Sequence, residues 1–259
     1  MTRFTPLVAG LVGVLACSKP EDPAQIHLDK GDELFTKNQF KEAAEEYRLS
    51  FEANPKQKNA EKVLEKEAYA YMKGGDTNQA AAALMKTMDF KTTLKEKVEL
   101  LHTIANIYVE KGPPEKVEEY YLAALKLDPN DTDALAWLGE VASQLGGARS
   151  AKVGAVPKYL EKAIGYYDQA IAINPNALLP YVNKRIALLK WADYERIEKE
   201  TAERDLQAAK RNSPAAKDAK ERAEKAQAHM DELKAQIEPL SAKISEMTKK
   251  PKPDGGTPG

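Results

Sequence analysis

The side chains with the widest chemical repertoire in this chain are one cysteine, Cys17, and three histidines, His27, His102 and His229. A single thiol makes no internal disulfide and no cysteine-based zinc site, and the histidines lie too far apart for a local metal motif. His102 has Asn106 one helical turn on, but as a lone imidazole it reads as a surface or hydrogen-bonded residue. The neighbouring carboxylates Glu118–Glu119 and Asp231–Glu232 belong to solvated helix faces rather than to an acid/base pair. There is no HExxH, no P-loop, no GxGxxG after a strand and no GxSxG. The expectation is a protein that is not an enzyme, with no metal, cofactor or small-molecule substrate. Lys and Arg number 39 against 40 Asp and Glu, so no basic stripe exists to release counterions from nucleic acid.

The elements that place these residues begin with an address. Met1-Thr2-Arg3 is a short positive start, and Phe4 to Ala16 an apolar run broken by Pro6, Gly10 and Gly13. That run is too short to span about 30 Å of hydrocarbon. It ends in Val14-Leu15-Ala16-Cys17, which resembles the lipobox of bacterial lipoproteins, with Leu15 where that family more often has a small residue. The resemblance implies a signal peptide over 1–16, removed before Cys17, and acyl chains on Cys17 and its new amino group. Ser18, rather than Asp, then implies the outer membrane, with the folded part facing the periplasm. An ordinary signal peptide with an incidental cysteine, or an uncleaved anchor, are the other readings. Residues 17–23, with Pro20 and Pro23, read as a polar tether.

The middle of the chain repeats. Aligned on Asn54-Pro55, Asp128-Pro129 and Asn174-Pro175, small residues recur at fixed offsets: Gly31, Ala43 and Ser50, then Ala105 and Ala124, then Ala163 and Ala170. Tyr47, Tyr121 and Tyr167 share one offset. A further unit without its proline carries Ala68, Tyr71, Ala80 and Leu84. Small residues let helices approach closely, larger ones fill the space between, and proline stops the second helix of each pair. This pattern resembles the tetratricopeptide repeat, a helix–turn–helix of about 34 residues. The implied architecture is all-α, a tetratricopeptide α-solenoid of about four repeats plus a half over 24–191. Repeat starts fall near 24, 61, 98, 132 and 178. Within the fourth, an insert over 146–156 rich in Gly and small residues reads as a tolerated surface loop, with a mobile flap as the other possibility.

The remainder changes character. No aromatic follows Tyr194, and charge is dense, yet an apolar seam runs through Ala216, Ala219, Ala223, Ala226, Met230, Leu233, Ile237, Leu240, Ile244 and Met247 in steps of three and four. Asn212-Ser213-Pro214 supplies a break, a cap and a first-turn proline. We expect a long antiparallel helical hairpin over 192–248, interrupted or kinked at Pro239, and a disordered tail over 249–259. Leu178, Leu179, Tyr181, Val182, Ile186, Leu188, Leu189 and Trp191 make the fifth first-helix apolar around most of its circumference. Solenoid ends normally carry polar caps, so the hairpin is expected to cover this helix, or else a partner does.

In tetratricopeptide proteins the first helix of each pair lines a concave face that holds a partner's peptide or helix. Carried over position by position, that face implies Leu28, Asp32 and Phe35, then Glu65, Tyr69 and Met72, then His102, Asn106 and Glu110, then Glu140. Leu28 and Asp32 depart from the basic and amide residues of the co-chaperone subgroup, so a clamp for a terminal carboxylate is not expected. Phe35, Tyr69 and Met72 are apolar anchors, whereas Glu99, Glu110, Asp133 and Glu140 are acidic, a gradient suited to a segment with apolar knobs and some Lys or Arg. The expected function is that of a lipid-anchored adaptor or scaffold for a partner protein in the cell envelope, similar in layout to pilotins or to a component of the barrel-assembly machinery. The alternative is a structural spacer working through the C-terminal hairpin.

Overall fold

The computed structural model describes residues 22–147 and 156–249. The leader with Cys17, most of the tether, the greater part of the 146–156 insert and the tail beyond Lys249 lie outside the described residues. Among those described, the structure is all-α, with ten α-helices and one 3₁₀ turn at Thr87–Phe90. Two compact units divide between Thr87 and Met88. The first holds α1 (Pro23–Thr36), α2 (Phe40–Ala53), α3 (Ala60–Lys73) and α4 (Thr77–Lys86). The second holds α5 (Leu94–Lys111), α6 (Pro114–Leu127), α7 (Thr132–Gly147), α8 (Val156–Ile173), α9 (Leu178–Ala208) and α10 (Pro214–Thr248).

Local chemistry sets the helix ends. α2, α6 and α8 stop at Ala53, Leu127 and Ile173, each one residue before the Asn-Pro or Asp-Pro dipeptide, because the residue before proline is pushed out of helical geometry. Asp22, Asp76, Thr93 and Ser213 each accept a backbone N–H in the following first turn, and Thr93 with Glu96 forms a reciprocal capping box. Four hydrogen bonds from the backbone N–H and hydroxyl groups of Thr92 and Thr93 settle on that carboxylate and hold its pKa at about 2. The tight turns α1–α2 and α3–α4 need left-handed backbone at Asn38 (φ 59°) and Gly75 (φ 82°), residue types that tolerate it.

Within a pair, helices approach through the small residues. A Cβ on Gly31 would stand 2.6 Å from the Tyr47 ring, and one on Gly139 would stand 2.4 Å from the Tyr167 ring. Ala43, Ala80, Ala105, Ala124, Ala163 and Ala170 are fully buried. Ser50 replaces alanine at one such position, and its buried hydroxyl donates to the Ala24 carbonyl at 2.7 Å.

Two expectations are revised. The boundary placed at 191/192 falls inside α9, which runs unbroken from Leu178 to Ala208. The fifth first-helix and the first arm of the hairpin are one element. α10 also passes through Pro239 without ending. It lies antiparallel along α9, joined to it by His229–Glu195 at 2.8 Å, Lys199–Gln227 at 2.9 Å and Arg222–Asp205 at 2.8 Å. Ala202, Ala219, Ala226 and Leu233 are buried in the hairpin. α10 covers only one side of α9, however, and Leu179, Ile186, Leu189 and Ile197 stay exposed. An alanine seam is narrow, so it brings two helices close without wrapping either.

One residue of the first unit opposes its surroundings. Glu67 is buried with its Oε2 unpartnered among the described residues, and its Oε1 lies 3.5 Å from the Lys86 ammonium. Burial pushes its pKa above the ordinary carboxylate range, with Lys86 opposing. A raised folded-state pKa means that the native chain keeps a proton which the unfolded chain has lost. Glu67 therefore subtracts stability as pH rises above about 4.5.

Two stability measurements follow by urea denaturation. Gly31→Ala should cost about 1–3 kcal/mol through overpacking against Tyr47, whereas Gly165→Ala, with nothing near its added Cβ, should gain up to about 1 kcal/mol. Glu67→Gln should be more stable than the parent at pH 7 by about 1 kcal/mol, and the difference should shrink as pH falls toward 4.5. A constant difference across that range would contradict the assignment.

Candidate partner-binding faces

In the first unit the face is built on α1 and α3. Phe35 stacks on Tyr69 (centroids 5.5 Å, 30°) and meets Phe40 edge-on at 5.2 Å. Tyr69 and Met72 remain exposed, and the Lys73 ammonium lies 5.3 Å from the Tyr69 ring, within cation–π range. Glu65 is exposed and has no partner among the described residues. Asp32 is committed internally: it accepts the Tyr47 hydroxyl at 2.7 Å and the Lys66 ammonium at 2.6 Å, joining the two repeats of this unit. Burial and Asp32 both push the Tyr47 phenol up, so it stays a donor at neutral pH. Leu28 corrects the expectation. It is buried in the core, because its side chain falls on the stripe that packs helix on helix, and it offers a partner no surface.

In the second unit the expected polar residues are also engaged. The His102 Nε2 lies 2.6 Å from Asp131, and its ring meets Tyr121 edge-on at 5.1 Å. Asp131 in turn caps α7 by accepting the Ala134 N–H at 3.0 Å. The Tyr121 hydroxyl donates to Asn106 Oδ1 at 2.8 Å, as Tyr47 does to Asp32 fifteen residues before it. The same register, lengthened by the twelve extra residues of the fourth repeat, sets Glu140 opposite Tyr167, but there the bond is missing among the described residues. The buried Tyr167 hydroxyl has no partner among the described residues, while Glu140 accepts from the Gln144 amide at 2.9 Å. Glu110 is exposed, without an ion pair among the described residues.

The structure adds residues that position alone did not select. Trp137 lies parallel to Tyr121 (6.1 Å, 7°) yet is 37% exposed. A cleft opens on each side of it. One, about 250 Å³, is lined by Tyr108, Val109, Val117, Trp137, Glu140 and Gln144. The other, about 210 Å³, is lined by Asp133, Ala136, Trp137, Glu140, Leu179 and Asn183. Leu179, Ile186 and Leu189 on α9 are 59%, 40% and 46% exposed. They occupy the same repeat positions as the residues transferred from the first four repeats. The apolar circumference of 178–191 carries that signal in the sequence, and it marks an open face as well as the side that α10 covers.

The different duties of two carboxylates on the first unit's face are measurable. Asp32→Ala should cost about 1–2 kcal/mol in urea denaturation through the stranded Tyr47 hydroxyl and Lys66. Glu65→Ala should stay within about 0.5 kcal/mol. Equal effects would mean that Asp32 is not the tie between the two repeats.

A family model described as tetratricopeptide repeat matches residues 24–57 and 98–131, the first and third repeats read above. Among curated proteins, the chain is 30% identical over 121 residues to the photosystem I assembly protein Ycf3 of Synechococcus elongatus, covering 43% of this chain and 69% of that one. It is 26% identical over 129 residues to the protein of the same name from Synechococcus sp. (strain CC9605), covering 46% and 73%. Among solved structures, that of MamA protein aligns with a TM-score of 0.42 at 22% identity, over 84% of this chain and 96% of the other. With the helix pairs, their small-residue contacts, the family model and the Synechococcus relatives in view, the chain belongs to the tetratricopeptide repeat family.

Proposed function

We propose that this chain is a lipid-anchored adaptor that holds a partner protein during assembly of a bacterial envelope complex. The observation carrying this reading is the pair of first-helix faces. Asp32, His102 and Asn106 are consumed there by internal bonds, while Tyr69 and Met72 in one unit and Trp137, Leu179, Ile186 and Leu189 in the other stay exposed. A solvated face seldom gathers so many large apolar side chains, and patches of this kind mark interaction surfaces. The faces hold no convergent catalytic group: the imidazole of His102 is tied to Asp131 and the amide of Asn106 to Tyr121. A scaffold role also agrees with the assembly role printed in the name of the cyanobacterial relatives.

The envelope part of the proposal rests on Val14-Leu15-Ala16-Cys17. Several acyl chains at about 0.8 kcal/mol per buried CH₂ make a lasting anchor, where one chain makes a marginal one. The outer membrane, with the repeats in the periplasm, follows from Ser18. The repeats then concentrate a partner next to the membrane surface, which raises its local concentration without any new contact.

Affinity purification from cells tests the adaptor, and fractionation tests the anchor. Tyr69→Ala with Met72→Ala should reduce partner recovery by about tenfold or more while helical content and Tm stay unchanged. Cys17→Ser should move the chain out of the membrane pellet. Unchanged recovery from the double variant would contradict the adaptor, and retention of Cys17→Ser in the pellet would contradict the lipid anchor.

A further inference from the structure

We propose that the first-helix face of the second unit seats one amphipathic α-helix of the partner, apolar along its contact stripe and carrying a Lys or Arg beside Trp137. This rests on the adaptor reading and names the chemistry of what that face holds. On α9, Leu179, Val182, Ile186 and Leu189 follow steps of three, four and three. At about 100° per residue they fall within roughly 80° of arc, along a ridge about 15 Å long. Such a stripe is the seam that one helix offers to another. α9 already packs against three helices, α7, α8 and α10. Among the described residues no helix covers this stripe, on which Leu179, Ile186 and Leu189 stand exposed and Val182 is half-buried.

Two features select a helix over an extended strand. The floor consists of side chains on α7 and α9, whose mid-helix backbone groups are already bonded along each helix. An extended segment laid on it would leave its own N–H and C=O groups unpaired against apolar surface, with Asn183 as the cleft's one amide side chain to meet them. A helix satisfies its backbone internally and presents only side chains.

Charge selects the rest. Among the described residues, Asp133 makes no hydrogen bond or ion pair, and Glu140 accepts only from the neutral Gln144 amide. Two cations of α9 are already occupied: Lys184 pairs with Asp168, and Lys190 donates to Ser143. Two uncompensated carboxylates beside an exposed tryptophan favour an approaching cation, which gains both ion pairing and ring contact. A second copy of this face fits poorly, because a two-fold contact would set Asp133 and Glu140 against their own counterparts.

Fluorescence anisotropy with the full chain tests this. The probe is a labelled peptide of about 18 residues with Leu at 3–4 spacing and Lys on the flanks. Its companions are the same peptide with Glu for Lys, and the same peptide with a central proline. The Leu/Lys helix should bind, and both companions should bind about tenfold or more weakly. Ile186→Glu and the milder Leu189→Ser should each weaken binding with helical content unchanged, whereas Glu161→Ala at an exposed position of α8 should leave it unaltered. Equal binding of the proline-broken peptide, equal binding of the Glu peptide, indifference to both α9 changes, or no binding at all would overturn the proposal. If the peptide fails while the wild-type chain still recovers a partner that Tyr69→Ala with Met72→Ala loses, the adaptor stands and only this assignment falls.

Discussion

The fold depends on one steric arrangement: a tyrosine ring laid flat where its neighbouring helix has no side chain. Tyr47 against Gly31 and Tyr167 against Gly139 bring two backbones within reach of a single ring. Any larger residue at the glycine would push the helices apart and move every side chain beyond it. Because the second helix of each pair takes all of the close packing, the opposite side of the first helix is left free. The binding faces follow from that geometry, since a helix held tightly on one side must show its other side to solvent.

The same tyrosines also determine which polar residues remain free. Their buried hydroxyls need acceptors, and in the first and third repeats they take Asp32 and Asn106. In the fourth repeat the matching carboxylate, Glu140, is turned to the Gln144 amide and the clefts beside Trp137. Burial first, and then Glu140, pushes the Tyr167 phenol up, so this ring remains neutral beside a charge it does not bind. One register thus yields two outcomes. Where the hydroxyl is satisfied the polar residue is structural, and where it is not the carboxylate stays available to a partner.

Much of this was legible in the chain. The Asn54-Pro55, Asp128-Pro129 and Asn174-Pro175 stops located three helix ends to the residue, because proline geometry is local and needs no tertiary context. Small residues at fixed offsets gave the helix pairs for the same reason. The continuity of α9 was hidden. Composition changes near Trp191 because the neighbours of α9 change there, from Ser143 of α7 at Lys190 to Gln227 and His229 of α10 at Lys199 and Glu195. The backbone itself does not break. Roles on the faces were hidden too: Leu28 and Asp32 sit at groove positions but are claimed by core and by Tyr47, bonds that exist only across helices. Trp137 lay one place outside the positional pattern. Only its stacking on Tyr121 shows why a large ring stands at the surface between two clefts.

The central claim is that the first-helix faces, and not the outer second-helix surfaces, hold the partner. Site-specific photocrosslinking in living cells puts it to the most direct test. A photoreactive residue at Ile186 should form an adduct with a defined partner, and one at the exposed Glu161 of α8 should not. Adducts from Glu161 with none from Ile186 would contradict the account.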